Sequence, residues 1–308
     1  MQSLATSRIL LIALGVIVLM SFLPLGVSGY ILGLLTLAYY FGVFAMAWDL
    51  LFGFAGEVNF GPTFLIGTGA YTAGILDNLY QPPIWLCLVA GAFAAVAGGV
   101  VLALPALRVR GPYFGLTTLV AVLMLQNYIV VDASLTGGEI GLTVPDVITV
   151  SDTKNYEIAL WFMALSGAIL FGLSRSPVGL ILQASGQDAV QAGALGFNVT
   201  KHKLAAFIIS AFFSGLAGGL LVFYMGSASV GTLVDITVGV QIIIAAVLGG
   251  RRTILGAVLG AVFLIAMSEF LRPLGDLSNF VVFAMALVVV LLFPSGLFGL
   301  LTRTKESG

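Results

Sequence analysis

Apolar residues along this chain gather in ten runs, most of them near the roughly 20-residue length that a helix needs to cross a hydrocarbon core. The runs fall at 9–27, 31–52, 60–79, 84–105, 113–132, 158–173, 204–225, 237–249, 254–271 and 279–293. The eighth is short, and its helix is expected to begin earlier, within 226–236. The first follows Arg8 and is longer than the apolar core of a signal peptide, so it reads as a span; a cleaved leader is the alternative.

One stretch interrupts this pattern decisively. Residues 174–203 are polar and small, with apolar runs on both sides. Ser176 before Pro177 is an N-cap followed by proline at the first helical position, which predicts a helix start. Asp188 can cap a second short helix, and Gly196 can close it in the left-handed conformation. Ala189, Ala192, Gly193 and Gly196 then share one helical face of small residues. That face is expected to dock a cytoplasmic partner; the plainer reading is a solvated loop with a frayed helix. Two further places break the apolar pattern, 48–63 and 226–241. Both are rich in glycine and hydroxyls, a mark of irregular backbone that a membrane tolerates only where protein or water receives its polar groups. Broken spans at matched positions point to a substrate route, with ordinary interfacial turns as the alternative. Glu57, Asn59 and Thr63 on the inner side, and Thr232, Asp235 and Thr237 on the outer, are the candidate residues lining it.

Charge fixes the orientation. With the N-terminus inside, every Lys and Arg except Lys154 and Arg272 falls on the cytoplasmic side, as the positive-inside rule requires. Asp77, Asp132, Glu139, Asp146, Asp152, Glu157, Asp235 and Asp276 collect outside. The expected fold is an all-α polytopic membrane protein of about ten transmembrane helices, with both termini cytoplasmic. It is one transmembrane domain over 1–308, in halves of about 1–135 and 156–308 joined by an outer connection at 133–156. An odd number of spans per half makes the halves opposite in orientation, the arrangement of inverted repeats.

Composition narrows the chemistry. Hydrophobic residues make up 60% of the 308 and charged residues 8%, against roughly 25% charged in soluble domains. Cys87 is the single cysteine and excludes an internal disulfide, and His202 alone makes neither a metal site nor a catalytic dyad. No phosphate-binding loop of the Gly-x-x-x-x-Gly-Lys type is present, so the chain is not expected to hydrolyse ATP. The basic residues are too scattered for nucleic acid. No catalytic constellation marks a membrane enzyme. Asp49 and Glu57, in or beside apolar runs, leave open an ion-coupled secondary transporter, since carboxylates at such depth often carry protons or ions.

Four stretches carry a family likeness: LLFGFAGEVNFGPTFLIGTGAYT at 50–72, LRVRGPYFGLTTL at 107–119, ALGFNVTKHKLAAF at 194–207 and VLGGRRTILGAVLG at 247–260. In this order they resemble the permease subunits of bacterial ABC importers for branched-chain amino acids, of the LivM type. Asp49 and Glu57 stand where that family commonly has Asn and Gln, and Pro62 where it often has His. Ala189 and Gly193 replace acidic residues usual in its docking loop. The resemblance implies a multi-pass protein of the bacterial inner membrane that moves branched-chain or related amino acids, or small amides. It implies a second permease subunit, two cytoplasmic ATPases and a periplasmic substrate-binding protein. It implies no cofactor in this subunit, with ATP and Mg bound by the ATPases. The segment 175–203 becomes the coupling loop, with Asp188, Ala189, Ala192, Gly193 and Gly196 facing the ATPase. A sugar-type ABC permease would share this architecture.

Overall fold

The computed structural model describes residues 13–107, 112–275, 277–292 and 296. Both termini lie outside the described residues, as do Arg8, Arg108, Arg110, Asp276, Arg303 and Lys305. The protein is a bundle of long apolar helices: α1 (Ala13–Leu25), α2 (Gly29–Asp49), α3 (Pro62–Tyr80), α4 (Ile84–Ala106), α5 (Pro112–Val131), α7 (Asp152–Arg175), α10 (Val199–Met225), α12 (Ile236–Gly249), α13 (Leu255–Leu271) and α14 (Leu277–Leu292). One of these falls on each apolar run. Among the described residues, seven helical stretches are long and apolar enough to cross a membrane; α1 and α14 are shorter, and α3 is less apolar. Short elements fill the connections: α6 (Ala133–Thr136), α8 (Pro177–Gln187), α9 (Ala189–Ala194) and α11 (Val230–Leu233). Strands β1 (Leu142–Thr143) and β2 (Ser227–Ala228) pair antiparallel, with Leu142 opposite Ala228.

Local chemistry explains the boundaries that hydropathy misplaces. α7 begins at Asp152, before its apolar run: the Ser151 carbonyl accepts from the Asn155 N–H at 3.0 Å, and an acidic first turn suits a helix N-terminus. α10 begins at Val199, where the Asn198 side chain accepts from the Lys201 N–H at 3.0 Å. The inner break is shorter than 48–63: α2 runs on through a π-helical turn, Leu50–Phe54, and only 55–61 is irregular. The outer break is likewise confined to 226–235 and itself contains α11.

Packing is centred on α10, which lies against α2, α3 and α4. Small residues make the close approaches. A side-chain carbon on Gly218 would stand 2.6 Å from the Ile66 carbonyl oxygen, and one on Gly260 2.8 Å from the Gly249 nitrogen. In lipid, where apolar burial drives little association, such contacts let backbones approach and dispersion act. The pair Gly256 and Gly260 accordingly seats α13 on α12.

Candidate functional site

The end of α2 is tied to the α12–α13 connection by several hydrogen bonds. Asp49 is 1% exposed, and its two carboxylate oxygens accept from the backbone N–H of Arg252 and of Ile254, each at 3.1 Å. The Arg252 guanidinium returns to the same turn, donating from Nε to the Gly53 carbonyl at 2.8 Å. Burial first, then the neighbouring Arg251 charge, push the Arg252 guanidinium below its usual range. Arg251 lies over the Phe52 ring, 4.7 Å from its centroid, and Phe52 stacks on Trp48. The connection 250–254 is thus clamped to the π-turn. The clamp also holds Arg252 and Ile254 at φ of 66° and 44°, a conformation that a β-branched residue such as Ile254 rarely adopts.

The irregular stretch that follows is fastened residue by residue. Glu57 is paired with Lys203 at the start of α10, Nζ to Oε1 2.5 Å. Asn59 is buried; its Oδ1 accepts from Gly61 N–H at 2.8 Å, and its carbonyl accepts from Trp48 Nε1 at 2.6 Å. The Phe60 N–H donates to Thr118 Oγ1 at 3.0 Å. Thr63, in the first turn of α3, is fully buried, and its hydroxyl has no hydrogen-bond partner among the described residues. It packs against Gly239 of α12.

The irregular segment 226–235 runs along α3, and α12 continues from it to Thr63. The Tyr71 hydroxyl reaches the Ala228 carbonyl at 3.5 Å, Val234 packs on Gly67, and Gly239 on Thr63. Eight residues of α3 separate Tyr71 from Thr63, about 12 Å of depth at the helical rise. Asp235 caps α12 by accepting from Thr237 N–H at 2.6 Å, and Gln126 Nε2 donates to the Val234 carbonyl at 3.1 Å. Thr232 stays exposed, its hydroxyl 2.8 Å from that of Ser229, and Thr237 is half-buried. Of the six candidate pathway residues, then, the fold brings Thr63 to the helix that Asp235 and Thr237 start. Glu57 is committed to Lys203, and Thr232 stands apart at the surface.

The polar loop folds as its capping residues predict. The Ser176 hydroxyl accepts from Gly179 N–H at 3.4 Å to start α8. Asp188 Oδ1 accepts from the N–H groups of Val190 and Gln191, both at 2.9 Å, to start α9. Gly196 follows at φ 90°. The stripe of small residues, however, does not form one outward face. Ala192 is turned inward and is 1% exposed, whereas Ala189, Gly193 and Gly196 are exposed. Six residues make under two turns, so the neighbouring packing rather than ideal spacing decides which way each points. The outward surface carries larger apolar groups, Val190, Leu195 and Phe197, which the pattern of small residues does not include.

These contacts leave a helical bundle in which α12 meets the first turn of α3 between two irregular segments, with a capped helix pair beside them. The profile of the family described as "Branched-chain amino acid transport system / permease component" matches residues 30–292. The chain belongs to that family. It is 26% identical to the high-affinity branched-chain amino acid transport system permease protein LivM of Salmonella typhimurium, over 89% of this chain and 71% of the relative. It is also 26% identical to LivH of Escherichia coli, over 86% of this chain and 92% of that relative. The ribose import permease protein RbsC of Haemophilus influenzae is 27% identical over 43% of each chain. No solved structure matches. The protein is therefore a membrane permease, and the ion-coupled alternative built on Asp49 and Glu57 gives way. In this permease the first carboxylate serves two backbone N–H groups, and the second a lysine.

Proposed function

We propose that this permease is the membrane subunit of an ABC importer in a bacterial inner membrane. It passes branched-chain or related amino acids, or small amides, from a periplasmic binding protein to the cytoplasm. Hydrolysis of ATP with Mg belongs to two partner ATPases, and a second permease subunit completes the membrane part. The chain crosses the bilayer ten times, in two five-helix halves of opposite orientation, with both ends cytoplasmic; the distribution of Lys and Arg supports this reading.

The observation that carries the proposal is the α8–α9 pair. Asp188 fixes the junction, and α9 turns Val190, Leu195 and Phe197 outward beside a stretch bearing Arg175, Lys201 and Lys203. An exposed apolar patch on a segment outside the bilayer suits a protein partner better than water, and we assign that partner as the ATPase. Glu57, Asn59, Thr63, Thr232, Asp235 and Thr237 are proposed to line or gate the route, with Thr63 the strongest because its buried hydroxyl awaits a partner. The test is co-purification with the ATPases, combined with vanadate-sensitive leucine uptake into proteoliposomes. Gly193→Trp and Leu195→Asp change only exposed positions, so they should leave the bundle intact and abolish both. Normal ATPase binding in both variants would refute the docking role.

A further inference from the structure

Between the surface of α9 and the clamp at Asp49 there is a continuous path of short, stiff contacts. It begins at Gly186, the penultimate residue of α8. There the α8 backbone crosses the chain at 54–56 with no side chain between them. A side-chain carbon on Gly56 would lie 2.8 Å from both the Cα and the carbonyl oxygen of Gly186. One on Gly186 would lie 3.0 Å from the carbonyl carbon of Ala55 and from the Gly56 nitrogen. Gly56 itself sits at φ 72°, so glycine is required there on two counts. Two residues beyond Gly186, the Asp188 side chain locks the start of α9.

From the crossing the path divides. Backwards along the chain lies the π-turn, Leu50–Phe54, then Asp49 with its hydrogen bonds to the α12–α13 connection. Forwards lie Glu57 on Lys203 of α10 and Asn59 on Trp48, leading into α3 at Thr63. From one point the path thus reaches α2, α3, α10 and the α12–α13 connection. A π-turn suits such a position, because one extra residue per turn weakens the local ladder and lets the helix shift register at low cost. A backbone-to-backbone crossing suits it too. Long side chains absorb a displacement by changing rotamer, whereas close-packed backbone passes it on.

We propose that residues 49–57 are the relay of this permease: movement of α8–α9 enters at the Gly56–Gly186 crossing and leaves through Asp49 to the α12–α13 connection. The inference rests on α9 being the helix that bears on the ATPase. Its specific content is that Gly56, Gly186 and Asp49 are positioning residues, which set how much transport each ATP yields.

The test uses the complete importer in proteoliposomes, with leucine and its binding protein as the probe, reading ATP hydrolysed and leucine imported in the same sample. Gly186→Ala and Gly56→Ala push the two backbones apart while leaving the exposed face of α9 unchanged. Co-purification and ATP hydrolysis should persist, and leucine imported per ATP should fall about tenfold. Unchanged yield per ATP in variants that assemble would overturn the relay. Should the glycine variants fail to assemble, the ion pair gives a second route. Glu57→Lys and Lys203→Glu should each lower the yield, and the double exchange should restore it. Wild-type yield in either single variant, or no recovery in the double, would equally overturn it. Failure of the underlying reading shows itself earlier and differently, as wild-type permease that captures no ATPase.

Discussion

Removing the Asp49 carboxylate is the sharpest test of what holds the end of α2 to the α12–α13 connection. In Asp49→Ala the N–H groups of Arg252 and Ile254 lose their acceptors. Hydrogen bonds to a charged group are worth about 1.5–3 kcal/mol each, and unpaired buried donors cost a similar amount. Two of them set the expected loss at about 3–6 kcal/mol. The same variant frees Arg252 and Ile254 from positive φ, which returns part of that strain and makes the lower end of the range the better expectation. Asp49→Asn keeps the shape and one oxygen but turns an amide donor toward the second N–H, so about 1–2 kcal/mol should be lost. The assay is unfolding of the purified permease in mixed micelles titrated with denaturing detergent. The control is Gly172→Ala, where an added carbon meets nothing within 4 Å. A loss below about 0.5 kcal/mol for Asp49→Ala, or a larger loss for Asn than for Ala, would refute the clamp. Transport in Asp49→Asn should remain insensitive to a protonophore, as suits a structural carboxylate rather than a proton carrier.

Other outcomes follow from single positions. Ala192→Trp should destabilise the purified permease by roughly 1–3 kcal/mol, since Ala192 faces inward, whereas Gly193→Trp should lose ATPase binding with no change in unfolding. Gly260→Ala should cost a similar roughly 1–3 kcal/mol by driving α13 off α12, read in the same titration. Thr63→Val removes a buried hydroxyl without a protein partner, so stability should hold or rise slightly while leucine uptake changes; unchanged uptake would remove Thr63 from the route. For orientation, a cysteine at Gln187 should escape an impermeant reagent in intact cells and one at Asp152 should react, both in a Cys87→Ser background. Gln187 is exposed, unlike the neighbouring Ser185, so failure to label reports sidedness.

Hydropathy and capping chemistry alone placed the ten helical runs, the starts of α8 and α9 at Ser176 and Asp188, and the left-handed Gly196. These are properties of a few consecutive residues: an apolar run long enough to satisfy its own backbone in lipid, and a short polar side chain beside an unpaired N–H. The Lys and Arg distribution gives an expected orientation for the same reason, since transfer of charge through lipid depends on the residue and not on its partners. What Asp49 and Glu57 do was beyond reach. A carboxylate in an apolar run looks like an ion carrier until Arg252, Ile254 and Lys203, more than 140 residues away in sequence, arrive beside it. Ala192 and Gly193 read as one face, and only packing against the bundle turned the first inward and left the second outside. The crossing of Gly56 and Gly186 left no mark in the sequence except two glycines among 39. Close approach is a relation between two backbones, and neither segment encodes it until tertiary structure brings both together.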